Sequence, residues 1–153
     1  MKMKAGLGRK WMSVLFIIYL IILFRITVFR STFGLEHMFQ NGRIILSFFN
    51  DYIELIRRGN WFSFIYLFAG NIIWFVPFGM YLQYRGKCRN LFWAAAYGFL
   101  LSLLIETLQF VFGTGYSELD DLILNTLGTW FGAFMVRIFI MFYGNAIETG
   151  VRL

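Results

Sequence analysis

The chain has 153 residues, of which 59% are hydrophobic and only 14% charged, with a mean hydropathy of +0.67. Soluble domains carry roughly 25% charged residues, so an aqueous globular fold is excluded and the bilayer takes the place of most of the core. The net charge of +6 does not point to nucleic acid, because the basic residues sit in short clusters beside hydrophobic runs, where they set topology.

Along the chain, Lys2, Lys4, Arg9 and Lys10 precede a first apolar segment over residues 11–29. This segment lacks a small-residue cleavage motif, so it reads as a retained anchor and not as a signal peptide. Three further segments, 61–84, 91–112 and 122–143, approach the ~20 residues that cross a bilayer as a helix. Helices are required, because long apolar runs in so short a chain cannot close a barrel. The fold class is therefore an all-α membrane protein, a four-helix transmembrane bundle, organised as a single integral membrane domain over 1–153.

The loop before the second span has a pattern of its own. Ile45, Phe48, Phe49, Tyr52, Ile53 and Ile56 recur at helical spacing between Arg43 and Arg58, with Ser47, Asn50, Asp51, Glu54, Arg57 and Arg58 mainly opposite. This predicts an amphipathic helix, either lying in the outer interface or packed on the end of the bundle. Lys and Arg set the orientation. The N-terminal cluster, Arg85, Lys87 and Arg89 between the second and third spans, and Arg152 in the tail outweigh Arg30, Arg43, Arg57 and Arg58 in the longer loop. Both termini are then expected in the cytoplasm, with the 31–60 loop and the short loop after the third span outside.

Polar residues inside the spans are the candidates for function. Glu106 lies in the third span, where a carboxylate is costly: Asp at mid-membrane is placed at about +2.5 to +3.5 kcal/mol on insertion scales. Ser102, Glu106 and Gln109 are spaced to share one helix face. Asp121, Asn125, Gly128 and Gly132 repeat that spacing in the fourth span. The Gly128-x-x-x-Gly132 element permits close backbone approach, here expected against the third span. Asn71 and Pro77 mark the second span, and Pro77 predicts a kink or break. Counting along the helices places Asn71 near mid-membrane, Asp120 and Asp121 at the outer surface, and Arg25 in the outer half of the first span. An ion pair between Arg25 and Glu106 is expected to offset part of the desolvation cost.

The candidate ligand-binding set is thus Glu106, Asp120, Asp121, Asn71, Asn125, Gln109, Ser102 and Arg25, with Pro77, Gly128 and Gly132 structural. For Ser102, Asn125 and the glycines, helix packing competes with ligand binding, at about 0.6 kcal/mol for a hydrogen bond between membrane helices. The one histidine, His37, and the one cysteine, Cys88, leave little room for histidine metal sites, triads or disulfides. No cofactor or resident metal is expected, although oxygen ligands from Glu106, Asp120, Asp121 and Asn125 keep a divalent ion open.

At these residues the chain resembles the VanZ-like family, whose founding member is the teicoplanin-resistance protein VanZ. The resemblance rests on Asn71-x5-Pro77-Phe78-Gly79, Ser102-x3-Glu106-x2-Gln109 and Asp120-Asp121-x3-Asn125-Thr126-x-Gly128-x3-Gly132, a motif core over 71–132. Many relatives carry an arginine shortly before the acidic pair, where this chain has Tyr116 and Ser117. The resemblance implies a small bacterial cell-membrane protein of a family in which some members lower susceptibility to lipoglycopeptide antibiotics. Three readings follow: non-enzymatic binding of an antibiotic or a cell-wall lipid precursor at the outer leaflet, an intramembrane enzyme using Glu106 and Asp121 as acid and base, or a small proton-coupled transporter. The first is preferred. Membrane lipids are the expected partners, nucleic acid is not, and a homo-oligomer is open.

Overall fold

A computed structural model of the chain describes residues 2–29, 33, 38–39, 42–88 and 90–148. His37, Arg30, Arg89 and Arg152, used above, lie outside the described residues. In chain order the elements are α1 (Lys2–Thr27), β1 (Arg43–Ile45), α2 (Asn50–Arg57), α3 (Trp61–Tyr84), α4 (Leu91–Phe112), β2 (Tyr116–Glu118) and α5 (Leu119–Glu148). Four stretches are long and apolar enough to cross a membrane: Lys10–Thr27, Trp61–Tyr84, Leu91–Phe112 and Leu119–Phe142. These match the four segments read from hydropathy, which makes the chain a multi-pass membrane protein.

The helix boundaries have local causes. The Asn60 side chain accepts from the Ser63 N–H at 3.2 Å, and the Asn90 side chain from the Trp93 N–H at 3.2 Å, capping the starts of α3 and α4. Gly86 and Gly113 follow the ends of these helices at φ 64° and 62°, where a side chain would be strained. Asp120 and Asp121 occupy the first turn of α5, where carboxylates complement the helix dipole. That start lies three residues ahead of the segment read from hydropathy.

Contacts divide the chain into two compact units, one of residues 1–45 and 105–117, the other of 46–104 and 118–153. In the first, Leu23 and Val28 of the α1 region are fully buried. The Gln109 amide donates to the Thr27 carbonyl at 3.2 Å, and the Phe39 N–H to the Val111 carbonyl at 2.8 Å. The Phe33 ring meets those of Phe29 and Phe112, with centroids 4.9 and 4.7 Å away. β1 pairs with β2 in a two-stranded sheet.

In the second unit, α5 is the central element. Its glycine face packs on α3, not on the third span as the sequence led us to expect. A Cβ at Gly128 would lie 2.2 Å from the Ile72 carbonyl oxygen, and one at Gly132 2.1 Å from that of Val76. From the other side, a Cβ at Gly79 of α3 would lie 1.8 Å from the Thr129 carbonyl oxygen. The contact is therefore a reciprocal small-residue seam between backbones. The polar part of α5 does face the third span: Thr129, fully buried, covers Gly98 of α4. Pro77 does not break α3, which continues to Tyr84. The expected helix over 43–58 is shortened to α2, because 43–45 pair as β1 and Phe49 takes a left-handed conformation at φ 52°.

Candidate functional site

The polar side chains of the second unit form two layers. The first joins α2, α3 and the start of α5. Both oxygens of Asp120 accept from the Phe49 N–H, at 3.0 and 2.9 Å, so this carboxylate caps the N-terminus of α2 from 71 residues away. The bond is charge-assisted and sits at the positive end of the helix dipole. Asp120 is only 4% exposed, and the Phe49 N–H replaces part of the water that its side chain loses. Next to it, the Asn71 amide donates to the Asp121 carboxylate and, at 3.4 Å, to the Tyr52 hydroxyl. Tyr52 is buried, with Phe64 and Phe68 of α3 edge-on to its ring. Burial and the Asp121 carboxylate push the Tyr52 phenol above its ordinary value.

Two more carboxylates belong to this layer. Glu118 loses water and faces the charges of Asp121, Asp51 and Asp120, which together push it up to about 7 from 4.5. Asp51 stands in the first turn of α2. Four carboxylates on α2, β2 and α5 thus share one electrostatic neighbourhood. Among the described residues, no three His, Cys, Asp or Glu side chains are arranged to hold a metal ion.

The second layer lies one turn deeper along α5. The Asn125 amide donates to the Ser102 hydroxyl at 2.9 Å, linking α5 to α4. Both residues are buried, and Thr129 donates to the Asn125 carbonyl at 3.1 Å. The Asn125 Oδ1 has no partner among the described residues. The hydrogen bond fixes the two helices, and a free acceptor remains in an apolar interior.

In the first unit, Glu106 and Gln109 are 3% and 5% exposed. Together with Ser102 they keep the one-face spacing along α4, and all three are buried, as an inward polar face requires. Gln109 uses its amide N–H on Thr27 and leaves Oε1 without a partner among the described residues. The expected ion pair of Arg25 with Glu106 is not formed: Arg25 is exposed and its guanidinium donates to the Phe29 carbonyl. A long basic side chain near a helix end reaches for the interface more cheaply than it can be drawn inward.

Asn71 and Asp121 are bonded directly, which corrects the depths counted from the sequence. Asn71 lies ten residues into α3 and Asp121 two into α5. The two share one level, so α3 extends past the start of α5 by about 12 Å at 1.5 Å per residue. Three members of the site escaped the sequence reading. Tyr52 was seen only as an apolar position of a helix, and Asp51 only as part of its polar face. Glu118 precedes the acidic pair in Glu118-Leu119-Asp120-Asp121, and that acidic run was the available signal.

No solved structure matches the chain. Protein VanZ of Enterococcus faecium is 28% identical to it over 115 residues, 75% of this chain and 66% of that relative. The chain thus spans just under two thirds of that relative's length. The family model for VanZ/LLP1 matches residues 16–140, which include the second and third spans in full, most of the first and fourth, and both polar layers. The chain belongs to the VanZ/LLP1 family.

Proposed function

We propose that this protein lowers susceptibility to teicoplanin-type lipoglycopeptide antibiotics by a non-enzymatic action at the outer leaflet of a bacterial cell membrane. In this reading the acidic layer meets cationic or hydrogen-bonding groups of the antibiotic, or of the envelope lipid it targets. Aromatic surfaces of the spans meet the acyl chain. The observation that carries the proposal is the gathering of Asp51, Glu118, Asp120 and Asp121 around the start of α5. Like charges brought together and desolvated oppose folding, and such clusters are enriched at functional sites. Family membership supports the resistance reading, and the layer's position just before a membrane span supports action at a membrane surface. A sequence with one histidine and one cysteine supports binding over covalent chemistry.

The test is teicoplanin susceptibility of a sensitive Gram-positive host. It would express wild type, Asp121→Asn or Glu106→Gln at matched membrane levels. Wild type is expected to raise resistance and Asp121→Asn to abolish most of it. Glu106→Gln asks whether the buried carboxylate of α4 shares the work. Unchanged susceptibility with wild type overturns the proposal. Full resistance in both variants would assign the carboxylates to folding and move the action elsewhere.

A further inference from the structure

Ile17, Leu20, Ile21 and Phe24 follow one another at spacings of three, one and three along α1. With Arg25 and Phe29 they line a groove of about 400 Å³ in the first unit. Everything in this lining is apolar except Arg25, which stands two residues before the end of the span at Thr27. A guanidinium among hydrocarbon is unfavourable, so long basic side chains near helix ends extend towards the interface. Arg25 does so. Its Nη1 donates to the carbonyl of Phe29, one turn beyond it, which moves the charge past the end of the span and satisfies a carbonyl at the helix terminus. That bond takes one of the five guanidinium N–H donors. Arg25 is exposed, and among the described residues it pairs with no carboxylate.

We propose that this groove binds an acyl chain of an anionic phospholipid, whose headgroup phosphate is taken up by Arg25. The occupant must be apolar along the stripe and anionic at one end, and a membrane lipid has that form at that depth. The stripe from Ile17 to Arg25 is about 12 Å long at 1.5 Å per residue, close to the thickness of one leaflet's hydrocarbon. The remaining N–H donors form the planar fork that suits phosphate oxygens. An apolar helix of a second copy would fill the groove but leave the cation without an anion, which argues for lipid over self-association.

The full chain, purified in a neutral detergent, tests this by native mass spectrometry with phosphatidylglycerol and phosphatidylcholine of matched acyl chains. One basic residue near a membrane surface contributes about 1 kcal/mol towards anionic lipid, so wild type is expected to retain the anionic lipid about fivefold better. Arg25→Gln should remove the preference, and Arg25→Lys should keep part of it, having the charge without the fork. Ile21→Trp, which fills the groove and leaves the charge, should reduce retention of both lipids. Inorganic phosphate at the same concentration should not displace the lipid. Equal retention by wild type overturns the proposal without any variant. So does a preference that survives Arg25→Gln, or displacement by phosphate alone.

Discussion

Glu118 shows at the scale of one residue how the acidic layer is held. Its carboxyl is pushed up to about 7 by lost hydration and by Asp121, Asp51 and Asp120. A group that binds its proton more tightly when folded than when unfolded makes folding take up a proton between the two pKa values, so stability falls as pH rises through that window. Its contribution is greatest below the unfolded value of 4.5, falls as pH rises from 4.5 to about 7, and stays at its lowest above that. Glu118→Gln removes the titration and the extra negative charge. The variant is expected to melt above wild type at pH 8, with the difference closing as pH is lowered to 5, in thermal unfolding of detergent-solubilised protein. A difference that does not change with pH would show that Glu118 does not titrate in this window. The members of the two polar layers were unequally legible in the sequence. Asn71, Asp121, Asn125 and Ser102 stood out because polar groups in apolar helices are costly and therefore conspicuous. The Asp120 cap on Phe49 joins a side chain to a backbone N–H 71 residues away. Such a contact leaves no periodicity to read.

Between elements, the tightest contact is the seam of α3 and α5. Gly128 and Gly132 sit against the carbonyls of Ile72 and Val76, and Gly79 against that of Thr129. Each of these neighbours is backbone inside a helix, so none can swing aside. Extra atoms in a packed interior cost about 1–3 kcal/mol, and more where nothing can yield. Gly79→Val is therefore expected to lower the melting temperature sharply, and more than Gly70→Val, since a Cβ at Gly70 meets nothing within 4 Å. Equal effects at the two positions would mean that β-branching in the helix, and not the seam, sets the cost. The spacing of Gly128 and Gly132 revealed a close approach but not its partner. The face of α5 serves two neighbours at once, with glycines towards α3 and Asn125 and Thr129 towards α4. A periodic pattern on one helix does not say which residue faces which neighbour. α2 was overextended for a related reason. Its apolar spacing runs back through Ile45 and Phe48, but the pairing of 43–45 with β2 and the Asp120 contact at Phe49 override it. Three-residue strands carry no alternation long enough to compete with a helical signal.

For the molecule as a whole, the four spans were the most legible feature, because a bilayer forces every buried backbone group into a helix of bilayer length. Orientation is a different property, set by charge outside the spans. Four spans place both termini on the same side, and from the excess of Lys and Arg at the N-terminus and around Lys87 we propose that this side is the cytoplasm. The acidic layer and the segment around Tyr116 then face outward, as the resistance proposal requires. The single native thiol, Cys88, is 5% exposed and burial pushes its pKa up, so little of the reactive thiolate forms, and Cys88→Ala removes it as a background. Tyr116 and Lys87 are both exposed and lie on opposite sides of the span formed by α4. In the Cys88→Ala background, Tyr116→Cys is expected to react with a membrane-impermeant maleimide on intact cells. Lys87→Cys is expected to react only after permeabilisation. The reverse pattern would turn the acidic layer towards the cytoplasm, where it could not meet a lipoglycopeptide arriving from outside. The outward-acting proposal would then fail even if the susceptibility assay showed resistance.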